Sequence, residues 1–141
     1  MDEQLTLAEI ERKQDLLQDY SPAQRALNVL QAEEGDIQAS FEKLWAETNG
    51  TIPTMAEGQS IWEVTKEVLR DEICGDEGFK AKVKEYNNNP ASAPLLTGLI
   101  VYVASLAGAT LNPAIATILV LWLVKVGMEV FCRYTEPNNP N

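Results

Sequence analysis

The sequence contains no histidine, only two cysteines, and 11 basic residues against 21 acidic ones. Without histidine, the Ser–His–Asp and Cys–His catalytic groups, the HExxH metalloproteases and the Cys2His2 zinc sites are excluded. The net charge of −10 argues against binding the phosphate backbone of nucleic acid, which needs clustered lysine and arginine. Two cysteines are too few for a disulfide scaffold, so we expect a reducing compartment and a buried structural thiol at Cys132.

Sequence motifs that carry chemistry are also missing. The chain has no P-loop, dinucleotide-binding, CxxC or calcium-loop pattern. The acidic pairs Asp71-Glu72 and Asp76-Glu77 lack the alternating ligands of a calcium loop, and we interpret them as a solvated helix end. The sequence therefore predicts no catalytic group, no cofactor and no metal site, and we do not expect an enzyme.

The charge is distributed very unevenly along the chain. Residues 1–90 hold nineteen of the acids and nine of the bases, so this part carries the whole net charge. From Ala91 to Val124, a run of 34 residues, no side chain is charged. A charged residue is expected about once in four positions of a globular chain, so the run marks a change of composition. The sequence is an acidic front part joined to an apolar back part.

Three short helices are predicted in the first 47 residues, at about 6–19, 22–34 and 37–47. Their apolar side chains recur at helical spacing. Thr6 and Glu9 fit a capping box at the start of the first helix. Ser21 is the predicted N-cap of the second helix, Gly35 ends that helix, and Asp36 caps the third.

The stretch from Ser21 to Trp45 resembles helices two and three of a ubiquitin-associated (UBA) domain. The matching positions are Ala26-Leu27, Leu30, Gly35-Asp36, Ile37, Ala39 and Leu44. The resemblance implies that residues 1–47 form a UBA-like three-helix interaction module. It also implies partner contacts at Tyr20, in the loop after the first helix, and at Leu44 and Trp45, near the end of the third. The alternative is that any small helical bundle needs such a Gly-Asp helix junction.

Residues 48–59 read as a linker, and residues 60–90 as an amphipathic helical segment. The first helix of this amphipathic segment is predicted to begin at Ser60. Its apolar side chains form a stripe that we expect to face the protein interior, and Trp62 lies beside this stripe. Lys66 falls on the opposite face, which we expect to be solvated. A second short helix is predicted over about 77–86.

Residues 91–134 predict an apolar helical hairpin, followed by a polar tail at 135–141. Asn112-Pro113 divides the apolar run into Pro94–Leu111 and Pro113–Cys132, and each part is close to one membrane crossing. Basic residues flank the hairpin on both sides, so the positive-inside rule places both termini in the cytoplasm. The alternative is a soluble cytoplasmic protein that buries the hairpin.

The hairpin offers two sets of residues for helix packing and oligomer contacts. Small residues in its first helix allow a close approach of helices, and charged residues at i, i+4 and i+8 would share one face of its second helix. The first set is Gly98, Ala104 and Gly108, and the second is Lys125, Glu129 and Arg133. We therefore expect a homo-oligomer.

The sequence thus predicts an all-α protein, made of the UBA-like bundle, the linker, the amphipathic helices and the C-terminal hairpin. The leading hypothesis is a non-catalytic, membrane-anchored adaptor, which binds a protein through the N-terminal module and lipid through residues 94–132. One alternative is a pore-forming effector of a cell-death or defence system, by analogy with their domain arrangement. The other is a soluble helical scaffold whose hairpins pack together in an oligomer.

Overall fold

The structure is a computed structural model that describes residues 4–49, 61–106 and 112–134. The described residues form eight helices and one isolated antiparallel bridge, between Gln4 and Asp36. The prediction of an all-α protein is confirmed. The helices are α1 (Leu7–Leu16), α2 (Ser21–Ala32), α3 (Ile37–Asn49), α4 (Ile61–Ile73), α5 (Glu77–Asn88), α6 (Ala93–Leu106), α7 (Pro113–Val126) and α8 (Met128–Tyr134).

Polar side chains begin several of these helices where the sequence indicates. The capping box of α1 is present, because Glu9 N donates to Thr6 Oγ1 at 3.1 Å and Thr6 N donates to Glu9 Oε1 at 2.8 Å. Asp36 caps α3 by accepting from Ala39 N at 2.9 Å. The predicted cap at Ser21 is wrong. The helix α2 begins one residue earlier, so Tyr20 is its N-cap and makes no side-chain capping bond.

The turn between α2 and α3 lies against the segment that precedes α1. Gly35 has a φ of +84°, and its carbonyl accepts from Leu5 N at 2.8 Å. A Cβ on Gly35 would lie 1.9 Å from the carbonyl oxygen of Leu5. Both the backbone conformation and the space therefore require glycine here.

The helix α7 is the centre of the fold. Every side chain from Ala114 to Leu123 is buried. The helix contacts α2 and α3 as well as α6 and α8, so its neighbours cover it on all sides. This arrangement explains why its sequence is apolar all round, without an amphipathic pattern.

Four aromatic side chains connect the front and back parts of the chain. Phe41 of α3 contacts Trp62 of α4, Trp62 contacts Trp122 of α7, and Trp122 contacts Phe131 of α8. Each pair has its ring centroids 5.1 Å apart in a tilted or edge-on arrangement, the geometry that aromatic pairs prefer. We call these four residues the aromatic chain. It joins the N-terminal helices and the apolar C-terminal helices in one core.

The environment of Lys66 differs from the prediction of a solvated position. Only 5% of the residue is exposed, and its ammonium lies 5.3 Å from the ring centroid of Trp62 and 5.8 Å from that of Trp122. Glu63 pairs with the ammonium at 3.1 Å. The long aliphatic stem is buried because α4 turns this side toward α7, where the aromatic rings attract a cation.

The apolar hairpin also differs from its prediction. In the part of the chain that is described, no helix has both the length and the apolar character that crossing a membrane requires, so the two predicted spanning helices are not supported. The predicted second helix to Cys132 is interrupted at Gly127, where φ is +89°, and α8 follows as a separate short helix. The predicted hairpin turn from Gly108 to Asn112 lies outside the described residues except for Asn112, and so does Ser60, the predicted start of the helix that follows the linker.

Candidate functional site

The residues that the UBA resemblance assigned to partner binding lie partly inside the protein. Leu44 is 2% exposed and belongs to the hydrophobic core, so it is not available to a partner. Trp45 is half-buried and stacks on Phe41, with 6.0 Å between the ring centroids. Tyr20 is half-buried before α2, and this burial raises the pKa of its hydroxyl. Of the three predicted contacts, only Tyr20 and Trp45 present any surface.

The small residues of α6 lie in two different environments. Gly98 is exposed, and a Cβ built on it meets no atom within 4 Å, whereas Ala104 is half-buried. Gly108 lies outside the described residues. Gly98 belongs to a set of exposed positions that recur at helical spacing along one side of α6, which we call the outer face of α6. These are Pro94, Gly98, Val101 and Ser105.

The three predicted charged residues of the second hairpin helix do not share one face. The break at Gly127 separates Lys125 from the other two, and Lys125 turns back to the N-terminal helix α1. Its Nζ donates to Glu9 Oε1 at 2.7 Å. Arg133 pairs with Glu129 at 3.2 Å within α8, and both side chains are strongly exposed.

Lys125 and Glu9 lie in a cleft of about 180 Å³ between α1, α5 and α7, which we call the charged cleft. The cleft also contains two cationic side chains of α1, Arg12 and Lys13. Lys13 Nζ lies 2.9 Å from Tyr86 Oη, to which it donates. The cleft is lined by Glu9, Arg12, Lys13, Tyr86, Asn87, Pro90, Leu121, Val124 and Lys125.

Glu9 is held in its ionised form. Burial acts to raise the pKa of its carboxyl group, but the hydrogen bond from Lys125 and the backbone N–H of Thr6 outweigh it, and the pKa is lowered overall. Lys125 exposes 17% of its side chain and Glu9 34%. Glu9 therefore stays ionised at neutral pH, and its hydrogen bond with Lys125 fixes the position of the Lys125 ammonium beside the cleft.

Both cysteines lie outside the charged cleft and form a disulfide bond. Cys74, just after α4, is bonded to Cys132 of α8, with 5.7 Å between their Cα atoms. The prediction of a free, buried thiol at Cys132 is therefore wrong. No spacing signal in the sequence indicates this bond, because the cysteines are 58 residues apart and meet only once α8 turns at Gly127.

A groove of about 420 Å³ lies beside this disulfide. It is lined by Lys80 of α5 and by residues of α8, namely Met128, Glu129, Cys132 and Arg133. Its charged residues are exposed, and Glu129 neutralises Arg133 within α8. The described residues of the groove therefore concentrate less positive charge than those of the charged cleft.

Asp76 and Tyr102 form a polar contact between the start of α5 and the middle of α6. Tyr102 Oη donates a short hydrogen bond to Asp76 Oδ2, while Asp76 Oδ1 accepts from Phe79 N at 3.0 Å and caps α5. These bonds lower the pKa of Asp76, and the first of them raises the pKa of Tyr102. The capping role explains Asp76 without a ligand. In the described ranges, no three histidine, cysteine or acidic side chains are grouped so that they could hold a metal ion.

Comparison with known proteins finds no relative of this chain. No protein-family model, no curated protein and no solved structure matches the chain. The UBA resemblance of Ser21–Trp45 therefore stands on those residues alone. The charged cleft, the groove beside the disulfide and the outer face of α6 are the surfaces whose chemistry bears on function.

Proposed function

We propose that this chain is a non-catalytic protein-interaction protein that associates with a second copy of itself through the outer face of α6. The observation that carries the proposal is that α6 is the one helix, of those in the described ranges, without a charged side chain. Val101, on the outer face of α6, is 53% exposed. Val101 lies at the middle of an exposed face without charged side chains, so this face has no acidic groups that would repel a second copy of the acidic chain.

Electrostatics favours this face over the rest of the surface for self-association. Each copy carries a net charge of −10, so contacts between most pairs of surfaces bring acidic side chains together. The outer face of α6 adds no charge to the contact. Two copies that meet there keep their acidic helices apart, and such a symmetric contact is the commonest form of homodimer.

The shape of the face also suits a helix–helix contact. Gly98 has open space where a side chain would be, so the backbone of a second helix can approach it closely. Val101 lies one turn further along and provides apolar area. Pro94 and Ser105 bound the contact, which extends over about 17 Å of helix. This is shorter than a standard interface, so we expect a dimer with a Kd on the order of micromolar or weaker.

Sedimentation velocity of the full chain over a range of concentrations tests the proposal. We expect a reversible monomer–dimer equilibrium for the wild type, and loss of the dimer in Gly98→Lys. Because lysine is a better helix former than glycine by about 0.7 kcal/mol, this variant should unfold at a higher denaturant concentration than the wild-type monomer. Loss of the dimer then cannot be attributed to unfolding.

Ala81→Lys is the matched control, since it adds one lysine to an exposed position of α5. It changes the net charge as Gly98→Lys does and should leave the dimer intact. Two results would contradict the proposal. One is a wild-type chain that stays monomeric up to about 1 mM, a concentration that populates even weak dimers. The other is dimer formation that Gly98→Lys and Ala81→Lys affect equally.

A further inference from the structure

We propose that the charged cleft between α1, α5 and α7 is a binding site for a small organic anion, with an oxyanion head and a short apolar tail. The site is separate from the outer face of α6 and does not depend on self-association. Three cationic side chains converge there, namely Arg12, Lys13 and Lys125, and among the described residues one carboxylate, that of Glu9, lines the same cleft.

The local charge is opposite to that of the whole molecule. The chain carries −10, whereas the four charged groups that line the cleft among the described residues sum to +2. Lys125 is neutralised by Glu9 at 2.7 Å, so the excess belongs to Arg12 and Lys13. Arg12 is exposed, and it makes no ion pair with any residue in the described ranges. A guanidinium beside an ammonium is a suitable arrangement for a carboxylate or a phosphate group.

The cleft is built from rigid elements. Lys13 donates to Tyr86 Oη at 2.9 Å, and its ammonium lies 5.5 Å from the centroid of that ring. Tyr86 is itself buried to 98%, so this contact fixes the lysine side chain against α5. On the far side, the Glu9–Lys125 pair joins α1 to α7. Lys13 and Lys125 are therefore positioned before a ligand arrives, which reduces the entropy cost of binding.

Size and lining specify the rest of the ligand. Leu121 and Val124 of α7 form an apolar part of the wall, and Pro90 adds another apolar contact. The volume of about 180 Å³ equals that of about six water molecules. A phosphate or carboxylate head with a few carbon atoms fits this space, whereas a nucleotide or a lipid does not.

Isothermal titration calorimetry of the full chain with butyl phosphate tests the proposal. Inorganic phosphate and butanol, titrated separately, represent the head and the tail. We expect saturable one-site binding of butyl phosphate, with a higher affinity than either half shows alone. Arg12→Gln and Lys13→Met should each weaken butyl phosphate binding about tenfold, the effect of one charge-assisted hydrogen bond.

Lys43→Gln is the matched control, because Lys43 is an exposed lysine of α3 that lies outside the cleft and pairs with Glu33 at 3.7 Å. It removes one positive charge, as the cleft variants do, and should leave the affinity unchanged. The proposal is overturned if no saturable binding occurs up to about 20 mM. It is equally overturned if Arg12→Gln binds as the wild type does, or if Lys43→Gln loses as much affinity. Circular dichroism of Arg12→Gln, whose changed side chain is exposed, verifies that the fold is retained.

Discussion

At the scale of single residues, the close contact between Gly35 and Leu5 requires glycine at position 35. The glycine has a positive φ, and the Leu5 carbonyl occupies the place of a side chain. Its helix-ending role could be predicted from the sequence, because Gly35-Asp36 is a common helix junction. The contact with Leu5 could not be predicted, because it depends on how the first residues cross the turn.

Gly35→Ala should therefore lower the free energy of unfolding by at least about 2 kcal/mol, because a strained φ and a backbone collision act together. Urea denaturation followed by circular dichroism measures the change. Gly75→Ala is the control, since a Cβ at Gly75 meets no atom within 4 Å and its φ is not positive. Equal stability of the two variants would show that Leu5 does not lie against this turn.

The Glu9–Lys125 pair gives the stability a dependence on pH. The pKa of Glu9 is lower in the folded protein than its ordinary value of 4.5, so the folded state favours the ionised form. This contribution is fully present above the unfolded pKa and is lost as the pH falls through the folded pKa. Unfolding free energies of the wild type and Glu9→Gln should therefore differ at neutral pH and converge in strong acid.

We expect the difference at neutral pH to be about 1 kcal/mol, since the pair is only partly buried. Glu11→Gln on the exposed side of α1 is the matched control and should show little difference at any pH. A Glu9→Gln variant that is as stable as the wild type throughout would contradict the pairing with Lys125.

At the scale of helices, local sequence signals predict the elements well and their contacts poorly. The capping box at Thr6, the Gly35-Asp36 junction and Pro113 all begin or end helices as local chemistry requires. Gly127 is an exception, because the predicted second hairpin helix continues through it to Cys132, although a glycine inside an apolar helical pattern indicates a possible break. Because the break redirects α8, the predicted face formed by Lys125 and Arg133 does not exist.

The disulfide between α4 and α8 is a second contact that local patterns do not indicate. It closes a long loop, with 58 residues of sequence separation, and restricts the unfolded chain accordingly. Reduction should therefore lower the free energy of unfolding by about 4 kcal/mol. Urea denaturation with and without a reductant measures this loss.

Cys74→Ser with Cys132→Ser is the control, because this double variant should be as stable as the reduced wild type and insensitive to reductant. Mass spectrometry of the unreduced protein should show two hydrogens fewer than the thiol form. Two free thiols in the native protein, or a denaturation midpoint that reductant does not change, would contradict the bond.

At the scale of the whole molecule, the charged cleft and the core are products of tertiary structure. Lys13 and Tyr86 are 73 residues apart, and Glu9 and Lys125 are 116 apart, so no sequence spacing places them together. The outer face of α6 is different, because the sequence alone shows that its residues recur at helical spacing and that none of them is charged. Which side of α6 is exposed follows only from the position of α7.

The position of α7 is also what distinguishes this account from a membrane hairpin. In the structure, α2, α3 and α6 cover the buried residues 114–123, and the aromatic chain links Trp122 to Trp62 and Phe131. An apolar helix that is covered by protein needs no lipid. We therefore expect that protein packing alone protects α7.

Hydrogen–deuterium exchange of the full chain in detergent-free buffer, with and without phospholipid vesicles, tests this claim most directly. Peptides from residues 114–123 should be the slowest to exchange, because their amides open only when the whole core opens. Their exchange should be the same when vesicles are added, and peptides from the short, partly exposed helix α8 should exchange faster. Rapid exchange of residues 114–123 in buffer, slowed only by vesicles, would contradict the account.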